Sequence, residues 1–196
     1  MNMIPKNTAK LVRFLLRNIE KTGYNINQIA KFLKISVGSS FKILKELESN
    51  KILTAQIMGN AVYYSLNLKN LETIKLCELL LLEEKRRLSG YAKLYSESLQ
   101  EFKKADLIIL FGSILTKNEF NDVDVLFITN KSKEVNDFCL ELSKIRTKPI
   151  IPLILKKIDL IKGLKSKKDV ILSLIKEGVI LKGESIFIGV IKNAKE

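Results

Sequence analysis

Residues 107–129 read Leu-Ile-Ile-Leu-Phe-Gly-Ser, then the eight residues 114–121, then Asp-Val-Asp-Val-Leu-Phe-Ile-Thr. An apolar run stops at Gly112-Ser113, and a second carries Asp122 and Asp124 at its start. Short apolar runs bounded by turn residues are expected to form buried strands. Residues two apart on a strand share a face, so Asp122 and Asp124 stand side by side. Adjacent carboxylates repel unless a cation lies between them. A Gly-Ser turn at the end of a buried strand lets a phosphate approach the backbone. Together these features fit a metal-bound nucleoside triphosphate.

The chain beyond this stretch extends the pattern. Glu134–Ile145 has helical spacing, with Val135, Phe138, Cys139, Leu142 and Ile145 on one side. Residues 149–155 read as a strand whose prolines predict an edge position. Asp169–Lys176 reads as a helix ended by Gly178, followed by a short apolar exit over residues 179–184. Lys156, Lys157, Lys162, Lys165, Lys167 and Lys168 make a cationic segment. It is read either as a solvated loop and helix start or as a second contact to a nucleic-acid backbone.

Composition narrows the chemistry. The chain has 196 residues, 46% hydrophobic, enough for two small domains or one large one. Its net charge of +13 favours an anionic partner, although a lysine-rich solvated surface gives the same number. There is no histidine, which excludes zinc hydrolase sites, Ser-His-Asp triads and imidazole bases. Cys77 and Cys139 have no metal or redox spacing. Chemistry therefore falls to carboxylates, lysines, hydroxyls or a hard cation such as Mg²⁺. No apolar run reaches the roughly 18 residues of a membrane helix, and no apolar signal core opens the chain. No membrane association is expected, and the expected location is cytoplasmic.

Residues 1–68 have a different character. Leu11, Phe14, Leu15 and Ile19 predict a first helix over about Thr8–Lys21. A second covers about 26–33, with Asn25 or Asn27 near its cap. Ser36 is the expected N-cap of a third, in which Val37, Phe41, Leu44 and Leu47 line one face. Two apolar runs, 51–57 and 61–66, flank Met58-Gly59-Asn60, a hairpin signal. This order of three helices and a hairpin resembles the winged helix-turn-helix domains of prokaryotic transcriptional regulators. The resemblance implies that the third helix enters the major groove of double-stranded DNA. The residues it places there are Ser39, Ser40, Lys42 and Lys45, with Gly38 allowing close backbone approach. Lysines would meet phosphates, and the serines could reach base edges. Residues 1–68 carry ten Lys/Arg against three Glu, whereas residues 69–196 carry 24 against 18. The wing tip Gly59-Asn60-Ala61 lacks the basic residue often found there.

Between the two regions, 69–104 reads as helical. Leu76 and residues 79–82 form a leucine block, 83–87 is fully charged, and Leu88, Tyr91, Tyr95, Leu99 and Phe102 resume helical spacing. A break is expected at Ser89-Gly90. Such helices serve either as a homodimer seam or as an internal support for the following domain.

The strand, the Gly112-Ser113 turn, Asn121-Asp122-Val123-Asp124 and the ending over residues 175–183 resemble a minimal nucleotidyltransferase of the DNA polymerase beta superfamily. The resemblance implies ATP and Mg²⁺ as cofactors. It makes Asp122 and Asp124 the metal ligands and catalytic carboxylates, and Gly112 and Ser113 the nucleotide-binding turn. Two departures stand out. The loop 114–121 lacks the family's arginine and glycine, and Lys117 is its one cation. The strand expected to bring a third carboxylate, residues 149–155, contains no acid, while Asp106 and Asp159 lie outside it.

The expected fold class is α+β: a winged helix-turn-helix at 1–68, a helical connector at 69–104 and a nucleotidyltransferase-like α/β domain with a small mixed sheet at 105–196. Two functions stay open. One is a DNA-binding transcriptional regulator whose second domain senses a nucleotide or is degenerate. The other is an active enzyme that moves AMP from ATP onto a protein or small-molecule hydroxyl. Minimal nucleotidyltransferases are often encoded beside a helical partner that they modify, so an antitoxin role belongs with the second.

Overall fold

The computed structural model describes residues 4–116 and 119–195. It has the expected α+β class and divides into two compact units, one ending at Leu80 and the other running from Leu81 to Ala194. The division falls inside one helix, residues Leu71–Arg86.

The first unit begins with α1 (Lys6–Arg17), which buries Leu11, Val12, Leu15 and Leu16. It stops four residues before the expected end. Asn18 turns its side chain back onto the Phe14 carbonyl, and the backbone leaves the helix there. A short strand, β1 (Tyr24–Asn25), leads into α2 (Ile26–Leu33). The Asn25 side chain accepts from the Gln28 N–H, and the Gln28 side chain accepts from the Asn25 N–H. This capping box satisfies donors that an α-helix start leaves unpaired. Lys34, in the left-handed conformation, turns the chain sharply. Ser36 then accepts from the Ser39 N–H and starts α3 (Val37–Ser49). β2 (Leu53–Met58) and β3 (Ala61–Leu66) form the expected hairpin, turning at Gly59 with φ +59°. With β1 on the outer side of β3, the sheet order is β1-β3-β2, all antiparallel. Three helices and this hairpin make a winged helix-turn-helix.

The connecting helices are α4 (Leu71–Arg86) and α5 (Gly90–Leu99). They break where the sequence places Ser89-Gly90, with Gly90 at φ +53°.

The second unit is built on a four-stranded mixed sheet: β4 (Leu107–Phe111), β5 (Val123–Ile128), β6 (Ile150–Leu155) and β7 (Val179–Lys182). Its order is β6-β5-β4-β7. β4 runs antiparallel to both β5 and β7, and β5 runs parallel to β6 through the crossover helix α6 (Ser132–Ile145). β6 is an edge strand, which accommodates Pro152. The helices α7 (Lys157–Lys165), α8 (Asp169–Glu177) and α9 (Glu184–Lys195) follow in chain order, α9 lying beyond β7. α9 is unexpected from the sequence reading, although Phe187, Ile188, Val190 and Ile191 carry its helical spacing. The lysines named above around α7 are all exposed.

The face of the sheet toward α5 and α6 is a dense apolar core. Ile108, Leu110, Val123, Val125 and Phe127 pack there with Tyr95, Leu99, Phe102, Val135, Cys139 and Leu142. Alternation along β5 therefore turns its even-numbered residues to the other face. Among the described residues, no helix is long and apolar enough to cross a membrane.

Candidate functional site

The carboxylate pair follows from this alternation. Val123 and Val125 lie in the core, so Asp124, and Asp122 two residues earlier, face away from α5 and α6. Asp124 pairs across the sheet with Phe111, the last residue of β4, which brings it beside the turn that follows. Both aspartates are half-buried. Burial raises the Asp124 carboxyl above its ordinary value, and the neighbouring Asp122 charge raises it further. A divalent cation relieves both effects.

The turn is shaped to receive that carboxylate. Gly112 has φ +84° and ψ −159°, a region that side chains with a Cβ avoid. A Cβ placed on Gly112 would lie 2.3 Å from Asp124 Oδ2. Glycine is thus needed for both its backbone angles and the space it leaves. The chain then forms one 3₁₀ turn over Ser113–Leu115, closed by the Leu115 N–H on the Gly112 carbonyl and the Thr116 N–H on the Ser113 carbonyl. Ser113 is half-buried at the head of this turn, and Lys117 lies outside the described residues.

The neighbouring strand answers the question of a third acid. In the β5–β6 ladder the partner of Asp124 is Ile151, which is 49% exposed. Partners in register share a face, so an apolar side chain holds the place beside the pair. Asp106 precedes β4 and donates its N–H to the Ile128 carbonyl, while Asp159 sits in the first turn of α7, beyond β6. Both lie at the far end of strands that rise roughly 3.3 Å per residue over six positions. Among the described residues no group of three or more Cys, Asp or Glu converges as a metal cage. Two hard oxygen donors fit a Mg²⁺ that completes its shell with water and phosphate oxygens. Both cysteine thiols are pushed up to about 12, chiefly by burial, so neither is a nucleophile near neutral pH.

The second candidate surface is α3. Lys42 and Lys45 are exposed as expected, and Gly38 has open space around the position of a Cβ. Lys45 donates to Glu48 at 2.8 Å, which raises its pKa and offsets its charge. Ser39 is exposed, its hydroxyl within 2.9 Å of Ser36 Oγ. Ser40 corrects the sequence reading: it is 0% exposed, turned inward with Leu44 and Leu47, and cannot reach a base. Val37 and Phe41, read as core residues, are instead 48% and 49% exposed. Leu44 and Leu47 are buried as expected, so the buried stripe keeps half of the expected set and is centred roughly 40° away from it, less than the roughly 100° of one residue. The hairpin Leu53–Leu66 carries no charged residue, so the positive charge of this unit lies on its helices and turns.

Comparison with known proteins agrees with the second half of this picture. Residues 93–186 match the family model described as polymerase beta, nucleotidyltransferase. The resemblance expected for that part of the chain is thereby shown. Solved structures similar to this chain include MepR, a transcription regulator of the Staphylococcus aureus multidrug efflux pump MepA. It is 19% identical, with a TM-score of 0.37, covering 50% of this chain and 76% of that one. Another is a cysteine-to-serine variant of ZitR from Lactococcus lactis. It is 15% identical, with a TM-score of 0.37, covering 74% of this chain and 77% of that one. At these TM-scores neither likeness bears on function. No curated protein matches the sequence.

Proposed function

We propose that the chain is a DNA-binding transcriptional regulator whose second domain binds a magnesium-bound nucleotide, such as ATP, without transferring it. The observation that carries the DNA half is the outward face of α3. It presents Lys42 and Lys45 from a segment with ten basic residues against three acidic ones. In the docked complex α3 lies in the major groove, Lys42 meets a phosphate, and the Ser39 hydroxyl is within reach of a base edge. The cap at Ser36 holds the start of the helix in place.

The nucleotide half rests on Asp122, Asp124, Gly112 and Ser113. Asp122 and Asp124 would hold Mg²⁺, whose charge would offset that of the carboxylate pair and of a bound nucleotide. Gly112 keeps the backbone low enough for phosphate oxygens to approach, and Ser113 Oγ donates to one of them. Transfer also requires the attacking hydroxyl to lose its proton. The position beside Asp124 that could assist is Ile151, which cannot accept one.

A second reading, an enzyme that moves AMP onto a protein or small-molecule hydroxyl, is favoured by the coupled Asp122–Asp124 pair held against Gly112. Calorimetry with ATP and Mg²⁺, followed by incubation with labelled ATP and acceptor proteins, separates the two. The regulator reading expects binding without a transferred label. A label that Asp122→Ala abolishes would establish the enzyme, and absence of nucleotide binding would remove both readings of this domain.

A further inference from the structure

Val37 and Phe41 occupy the same outward face of α3 as Lys42 and Lys45, yet each is about half exposed. Single apolar residues on a surface need no explanation. Here two of them lie one helical turn apart, separated by roughly 6 Å along the axis. Gly38 between them leaves open space. Lys45 Nζ stands 5.9 Å from the centre of the Phe41 ring, so the phenyl and the ammonium form one surface. The polar groups of this helix offer fewer base contacts than the sequence suggests: Ser40 is buried, Lys45 is tied to Glu48, and Ser39, which accepts from the Ser36 hydroxyl, keeps a single donor for a base.

On the DNA-binding reading above, on which this inference rests, an α3 so composed has few hydrogen-bonding groups with which to identify bases. Apolar readout remains. The one apolar group in the major groove is the 5-methyl of thymine. Base pairs rise about 3.4 Å per step, so 6 Å of helix axis spans roughly two steps. We infer that Phe41 and Val37 determine sequence specificity by packing against thymine methyl groups in the major groove, while Lys42 supplies phosphate affinity. The basic excess of this segment selects a polyanion over a protein as the occupant of the face.

The test uses the full-length protein and duplexes selected by it from a randomised pool. Thymidine in the selected duplex is replaced, position by position, with deoxyuridine, which removes only the methyl. At one or two positions the wild type is expected to bind roughly fourfold more weakly, the effect of one buried methyl group. Phe41→Ala or Val37→Ala should bind both duplexes alike, with an unchanged salt slope; because both side chains are exposed, the variants should keep the wild-type melting temperature. Uracil without effect in the wild type, an equal loss in both variants, or selected sites without thymine on the contacted steps would overturn the inference. A wild type that binds no duplex at any salt would instead remove the DNA-binding reading itself.

Discussion

Gly112 and Asp124 are fitted to each other: a Cβ on residue 112 would sit 2.3 Å from the Asp124 carboxylate oxygen. The backbone angles at 112 independently demand glycine. Gly112→Ala therefore has to move the turn or the carboxylate. The strained backbone costs about 1–3 kcal/mol, read as a fall in Tm of roughly 2–12 °C. Calorimetric binding of Mg²⁺ and ATP should be lost with it. Wild-type nucleotide affinity in this variant would show that Asp124 does not depend on the turn.

The raised Asp124 carboxyl gives a pH dependence with a definite sign. The folded state holds this proton more tightly than the unfolded state, whose ordinary value is 3.8. As pH rises from there through the higher folded value, the free protein loses stability. Asp124→Asn removes this loss. At pH 7 without metal, its Tm should equal or exceed that of the wild type, while the rise in Tm with Mg²⁺ disappears. A metal-free Tm several degrees lower would mean that the carboxylate holds a stabilising contact instead.

Ile151 is the position in register with Asp124 on the neighbouring strand. Ile151→Asp adds a third oxygen donor on an exposed site. Mg²⁺ affinity should rise by roughly tenfold, since ligand charge count tunes affinity. Acquisition of label from ATP by an acceptor, which the regulator reading does not expect of the wild type, is the stronger readout. Unchanged Mg²⁺ affinity would place residue 151 outside the metal's reach.

Much of this site is legible in the sequence because its parts are local. Gly112-Ser113 ends an apolar run, and Asp122 and Asp124 are two apart on another, so strand alternation alone pairs them. The caps Asn25 and Ser36 are legible for the same reason, since each acts on residues three positions away. What escaped depends on contacts distant in sequence. Ile151 becomes informative only once the parallel register places it beside Asp124. The edge of the α3 stripe is not legible in the sequence, because Val37 and Phe41 are apolar, Ser40 is polar, and positions 37, 41, 44 and 47 keep helical spacing as well as positions 40, 44 and 47 do. Only the tertiary packing puts Ser40, and not Val37 or Phe41, beside Leu44 and Leu47.

Ser40 gives a check on that phase. Its hydroxyl is buried without a hydrogen-bond partner. Ser40→Ala relieves an unsatisfied polar group worth about 1 kcal/mol, so Tm should rise by roughly 2–4 °C. Duplex affinity should not change. A loss of DNA binding in this variant would return Ser40 to the groove.

The DNA-binding role is tested most directly by duplex affinity measured across a salt series, for the wild type and for Lys42→Ala with Lys45→Ala. Phosphate contacts release counterions, so the wild type should weaken steeply with salt. The double variant should bind more weakly, and the slope of log affinity against log salt should be smaller by about one to two. The smaller value is expected if Glu48 already offsets Lys45. The same affinity and slope in both proteins would contradict the placement of α3 on DNA.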